Sequence, residues 1–191
     1  IAAENLGGSA LPSLSGASLT TLNATNISSG TLNAARYSGG KILQVTSGVY
    51  NGTNNNSSGN AVDTGLSATL TPSATSSKIL ILCTVPYSIS SSTDRQDIMG
   101  GLDPWGKIGS GSFAKISGSG DFAEYYSLGY NDAAENAERR LSGRYAINMI
   151  WEPSSTSACQ VKIYSHNNDA NTTVSAHYDS RSHMNLLEIG A

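Results

Sequence analysis

Charge is scarce in this sequence. Lys, Arg, Asp and Glu make up 13% of it, against about 25% in an average soluble protein. The net charge of −3 is too small to drive binding to nucleic acid or to an anionic membrane. Cysteine is nearly absent. Cys83 and Cys159 have no metal-site spacing, and both lie in apolar alternating segments, so two buried free thiols are expected. Long apolar runs are missing too. The longest, Ile79-Leu80-Ile81-Leu82-Cys83, is too short to span a bilayer. The first residues have neither a basic region nor an apolar core, so no signal peptide is read there. The start at Ile1 rather than Met suggests the C-terminal part of something longer, or a processed product.

Uncharged polar residues are abundant. Ser, Thr, Asn and Gly supply 82 of 191 residues. Such a composition disfavours solvent-facing helices, which lean on Glu, Lys, Arg and Ala. It suits short strands, tight turns and uncharged hydrogen-bonding surfaces. The 38% apolar content and nine tyrosines are enough for a core.

Residues 1–40 differ from the rest. They hold two charges, Glu4 and Arg36, and an apolar residue every three to five positions. Gly7-Gly8, Pro12, Gly16 and Gly30 interrupt any helix. One copy could not bury its own leucines; several copies around a shared axis could. This segment is therefore read as a thin oligomeric stalk, with Leu19, Leu22, Ile27 and Leu32 at its core.

From residue 41 the texture is that of strands. Candidates are 41–49, 62–70, 78–89, 98–102, 144–151, 158–164, 172–178 and 184–189, with 122–130 aromatic. Pro86 is expected at an edge or bulge, and Asp103-Pro104 at a turn. Residues 51–60 read as a polar loop tip, 166–171 as a tight loop, and 131–140 as a loop with at most one or two helical turns. About nine or ten strands without alternating helices predict an all-β antiparallel sandwich, jelly-roll-like, over 41–191.

The motifs are those of an assembly. Gly30-Thr-Leu-Asn-Ala-Ala-Arg-Tyr37 leads into Gly39-Gly-Lys-Ile-Leu-Gln-Val45. A Thr64-Gly-Leu-Ser-Ala-Thr-Leu-Thr-Pro-Ser-Ala-Thr-Ser-Ser-Lys-Ile-Leu-Ile-Leu82 segment follows. Ser155-Thr-Ser-Ala-Cys-Gln-Val-Lys-Ile-Tyr164 and Met184-Asn-Leu-Leu-Glu-Ile189 close the chain. This pattern resembles the C-terminal region of bacteriophage tail-fibre proteins, over most of the chain except about 93–145. The resemblance implies a homotrimeric virion protein joined to the rest of the phage tail. Its knob would contact a host cell-surface glycan or outer-membrane component, without membrane insertion, nucleic acid or cofactor.

Catalytic signatures are weak. The Gly109-Ser-Gly111 and Gly118-Ser-Gly120 stretches lack the helix that would aim amides at a phosphate. His166, His177 and His183 read as surface histidines, with no metal site assigned. Eight of 25 charges fall in 121–144, but interleaved arginines point to ion pairing rather than to a glycosidase pair. No enzyme activity is assigned; a polysaccharide depolymerase, a bacterial trimeric adhesin and a knob that only trimerises and caps the fibre are the alternatives. Saccharides are held by aromatic faces and by Asn, Asp and Arg groups. The receptor-contact candidates are therefore Asn54, Asn55, Asn56, Trp105, Tyr125, Tyr126, Tyr130, Asn167, Asn168 and Asp169.

Overall fold

A computed structural model describes residues 40–91, 97–116, 126–130, 139–167 and 172–190. For 97–99, 126–130 and 139 it describes the backbone alone. The stalk-core residues Leu19, Leu22, Ile27 and Leu32, the candidates Tyr125, Asn168 and Asp169, and residues 131–138, expected as part of a loop, lie outside these residues.

Eleven strands are described: β1 (Ile42–Tyr50), β2 (Asn54–Asn56), β3 (Val62–Leu70), β4 (Lys78–Ser91), β5 (Asp97–Ile108), β6 (Ala114–Lys115), β7 (Tyr126–Tyr130), β8 (Arg139–Trp151), β9 (Cys159–Asn167), β10 (Thr172–Ala176) and β11 (Ser182–Ile189). Every pairing is antiparallel. One sheet, sheet A, is built on β4. Strand β8 runs along one side of it; β11 and then β10 run along the other, flanked by β1 and β2. The second, sheet B, has the order β3-β9-β5, with β6 and β7 both on the far side of β5. The chain crosses between the sheets at β3, β4, β5, β8, β9 and β10. The protein is thus the all-β antiparallel sandwich that its strand spacing predicts.

Alternation places the core. Strand β9 buries Cys159, Val161, Ile163 and Ser165, and turns Gln160, Lys162, Tyr164 and His166 outward. Strand β4 buries Ile79, Ile81, Cys83, Val85, Tyr87 and Ile89. These meet Leu66, Ala68 and Leu70 of β3, Leu102 of β5, Ile147 of β8, and Met184 and Leu186 of β11. Tyr145, Met149 and Trp151 pack against this core with Ile147, the single face that their spacing predicts. Both cysteines are free and buried. Burial pushes the Cys83 thiol up to about 12 and raises Cys159 as well. Neither is a poised nucleophile. Where β1 crosses β3, a Cβ on Gly48 would lie 1.9 Å from the Ser67 carbonyl oxygen, so only glycine fits that approach.

Two prolines sit inside central strands, contrary to expectation, and for the same reason. A strand residue points its N–H and C=O to one side. Pro86 falls where β4's neighbour changes from β11, which ends its pairing at Thr84, to β10, which begins at Tyr87. Its carbonyl accepts from the Tyr178 amide at 3.1 Å in that gap, so the missing N–H faces no strand. Pro86 is therefore not on an edge. Asp103-Pro104, expected as a turn, lies within β5. Pro104 fills the gap between β7 and β6, and its carbonyl accepts from the Ile116 amide at 3.1 Å.

Other differences are smaller. Asn54–Asn56, expected in a loop tip, forms β2 against β10. His166 and Asn167, expected in a loop, end β9. Strand β8 starts at Arg139, five residues early, because β4 is long enough to pair it through Ser91.

His177 is the clearest departure. It was expected at the surface but is 1% exposed. Its Nδ1 lies 2.5 Å from Ser182 Oγ and its Nε2 3.0 Å from the Thr64 carbonyl. Its ring lies 4.4 Å from that of Tyr50. Burial lowers its pKa, partly offset by the bond to Thr64. The folded state thus holds the neutral ring, while the unfolded chain takes up a proton below about 6.5. Stability from this group is full above that pH and is lost as the pH falls toward the lower folded value. Thermal melts should show a decline in Tm from pH 7 to pH 5 that His177→Asn flattens. An unchanged decline in that variant would remove His177 as its source.

Candidate functional site

The two sheets present outer faces of opposite chemistry. On sheet A the register Val45–Leu187–Leu80–Ile150 puts four aliphatic residues side by side across β1, β11, β4 and β8. Val45 is 55% and Ile150 54% exposed, with Ile42 and Leu43 exposed close by. The next rows are mixed: Ser47, Asn185, Leu82 and Asn148, then the exposed Val49 with His183, Thr84 and Ala146. The aliphatic row lies at the end of the sheet where residue 40 enters β1.

The outer face of sheet B is aromatic and charged. Pairing places Asp63, Tyr164 and Asp103 in one row, and Ser67, Lys162, Trp105 and Lys115 in the next. Trp105 stacks on Tyr164, with centroids 4.6 Å apart and planes 28° from parallel. Phe113, from the loop between β5 and β6, is tilted against Tyr164 at 6.3 Å. Lys107 and Lys162 stand over the Phe113 ring, at 5.1 and 5.0 Å. Lys162 also donates to Asp63 Oδ2 at 2.5 Å. Three half-buried rings and three of the chain's five lysines thus share one face.

A buried carboxylate underlies this platform. Asp103 is 1% exposed in its side chain, with His166 Nδ1 3.1 Å and Lys115 Nζ 3.6 Å from its Oδ2. Its Oδ1 and the Trp105 Nε1 have no hydrogen-bond partner among the described residues. A buried polar group is kept by polar partners, and these contacts hold Lys115 and the His166 ring to the sheet beside the aromatic rings. At the edge of the face lies a hollow of about 350 Å³, lined by Gly106, Ile108, Ala114, Ile116 and Trp151. A Cβ on Gly106 would lie 2.9 Å from the Trp151 ring, so glycine keeps room for the indole.

Of the sequence candidates, Trp105 is on this platform. The backbone of Tyr126 pairs with Gly101, and that of Tyr130 with Asp97, at the far end of β5. Asn54 is half-buried and Asn55 exposed on β2. Asn56 is 2% exposed, and its side chain is committed within the fold. Its Nδ2 donates to the Asn60 and Ser165 carbonyls, both at 2.8 Å, and its Oδ1 accepts from Ser58. Asn167, 3% exposed, donates to the Asn56 and Thr172 carbonyls. These two organise the β2 region and cannot reach a ligand. The structure adds Tyr164, Phe113, Lys107 and Lys162. For Lys162 and Tyr164 the signal was in the sequence: with Gln160 they alternate with Val161 and Ile163, which marks an outer face carrying an aromatic residue.

Compared with protein-family models the chain matches none, and no curated protein matches it. Among the described residues no cluster of three or more His, Cys, Asp or Glu could hold a metal ion. No described helix is long and apolar enough to cross a membrane.

Proposed function

We propose that this chain is the distal part of a bacteriophage tail fibre. In this reading it is a homotrimeric virion protein whose knob, residues 41–191, binds a glycan on the host cell surface. Residues 1–40 form the end of the shaft. The protein acts by binding, without catalysis or cofactor.

The observation that carries the receptor reading is the Trp105–Tyr164–Phe113 group on the outer face of sheet B. Sugar rings present C–H faces that lie on aromatic rings, and hydroxyls that need fixed donors and acceptors beside them. Lys107, Lys162 and Asp63 supply those groups. A flat, half-buried site of this kind gives weak affinity per subunit, since surface hydrogen bonds gain little net energy against water. Three knobs per fibre raise it through effective concentration. The assembly reading is supported by the aliphatic row on sheet A. Exposed apolar residues in a contiguous patch mark an interaction surface, and this patch adjoins the residue at which the leucine-spaced segment ends.

The receptor reading is tested by Phe113→Ser and Trp105→Phe, probed on an array of bacterial surface polysaccharides. Phe113 sits in a loop, so its loss should leave the fold intact. Glycan binding is expected to weaken about tenfold in Phe113→Ser, equivalent to about 1.4 kcal/mol. Unchanged binding in both variants would remove sheet B as the receptor face.

A further inference from the structure

The turn joining β10 to β11, residues 177–181, lies on sheet A, away from the aromatic platform. Its buried side is fastened at several points. His177 contacts Ser182, Thr64 and the Tyr50 ring, and the Tyr178 amide donates to Pro86. His177 and Asp179 hold φ at 60° and 56°, a conformation that non-glycine residues keep only where the surroundings impose it. The result is a rigid turn that presents Tyr178, Asp179 and Ser180 toward Ser142 and Arg144 of β8. Together they surround a hollow of about 360 Å³, within the range of small-ligand pockets.

The two arginines of β8 nearest this turn are unequal in their commitments, and of them only Arg144 lines the hollow. Arg140 is tied down: its Nη1 donates to the Tyr178 hydroxyl at 2.5 Å, and its guanidinium lies 5.4 Å from the centre of that ring. Arg144 is not. Its contact is a donation from Nη2 to Ser180 Oγ at 3.4 Å, at the weak end of the range. The exposed Asp179 carboxylate has no ion pair or hydrogen bond among the described residues. A guanidinium and a carboxylate therefore line one hollow without pairing with each other.

We propose that this hollow binds a saccharide unit that carries a carboxylate. The planar fork of Arg144 matches a carboxylate in two hydrogen bonds. Asp179 accepts from ring hydroxyls, and Tyr178 and Ser142 offer further hydroxyl partners. A bare anion would meet the Asp179 charge with nothing to offer it. A neutral sugar would leave Arg144 unused. An acidic sugar satisfies both. The site lies about 20 Å along β8 from the aliphatic row, six residues at about 3.3 Å each, so both can be occupied at once. It shares no residue with the Trp105 platform, so it stands or falls independently of the sheet B reading.

The test is a titration of the full chain followed by amide resonances. The probes are the methyl glycosides of glucuronic, galacturonic and N-acetylneuraminic acids, with methyl glucoside and sodium acetate as comparisons. At least one acidic glycoside is expected to shift the Tyr178, Asp179 and Ser180 amides and to saturate in the millimolar range. Methyl glucoside and acetate should bind at least tenfold more weakly. Arg144→Gln should weaken the acidic glycoside at least tenfold and Asp179→Asn about fivefold, while Trp105→Phe leaves it unchanged. Three results would overturn the proposal: no saturation by any acidic glycoside, equal binding of acetate, or no effect of Arg144→Gln.

Discussion

Glu188→Ala should cost the sandwich about 2–3 kcal/mol, the largest single stability loss expected from a polar residue among those described. Glu188 faces inward from β11 with no exposed surface. Its carboxylate accepts from the Ser73 amide and hydroxyl, both at 2.6 Å, and from Gln44 Nε2 at 2.6 Å. Gln44 also donates to the Thr71 carbonyl at 2.7 Å. One carboxylate thus ties the β3–β4 turn to β1 and β11. Its removal takes the acceptor from three donors, the Ser73 amide and hydroxyl and Gln44 Nε2, at a partly buried site, where each lost bond to a charged group is worth about 1 kcal/mol. For a domain of this size the loss corresponds to a Tm drop of about 5–10 °C.

The same residue sets an acid limit. Burial alone would raise the pKa of Glu188, but the hydrogen bonds from Ser73 and Gln44 outweigh it and bring the group to about 2. The folded state therefore holds the charged form more tightly than the unfolded chain does. Its contribution is complete above about pH 4.5 and is lost as the pH falls toward 2. Glu188→Gln keeps the shape but turns an amide toward donors. It should destabilise at pH 7 and remove most of the decline between pH 4.5 and 2. A wild-type acid profile in that variant would place the acid sensitivity elsewhere.

The second large effect concerns assembly. If the proposed trimer packs through the aliphatic row, Val45→Arg with Ile150→Arg should convert it to monomer with the fold intact. Both residues are more than half exposed, so each change costs the isolated knob little, within about 0.5 kcal/mol. In a trimer packed through the aliphatic row, two new charges per chain would be buried unpaired, at several kcal/mol each. Thr69→Arg on the opposite sheet serves as the control and should leave the mass unchanged. A double variant that keeps its native mass would clear the sheet A row of any role in assembly.

Much of the fold was legible in the sequence, because alternation is a strong signal where one face is buried. The alternation read over 158–164 matches the alternation of burial in β9, and Tyr145, Ile147, Met149 and Trp151 share one face as their spacing predicts. What was illegible depended on partners distant in sequence. Asp103-Pro104 and Pro86 carry local turn or edge signals, and nothing near them shows that two neighbouring strands leave a gap at each. Asn54–Asn56 has loop composition, and pairs as a strand because β10 offers an edge. His177 looks like any turn histidine until Thr64, more than a hundred residues earlier, supplies its carbonyl. The candidate sites follow the same rule. Trp105 could be named in advance because it is a rare aromatic. Tyr164 reads as an ordinary strand residue until β5 brings Trp105 onto it. Arg144 lies on β8 and Asp179 in the turn between β10 and β11, and only that turn, with the Tyr178 amide on the Pro86 carbonyl, brings them to one hollow.

The most direct test of the proposed trimeric knob is the native mass of the full chain by light scattering. A homotrimer of 19.8 kDa chains would weigh about 59 kDa, and that mass should persist on dilution to micromolar concentration. A stable mass of 19.8 kDa would contradict the fibre architecture. It would leave a monomeric sandwich whose aliphatic row and aromatic face serve some other end.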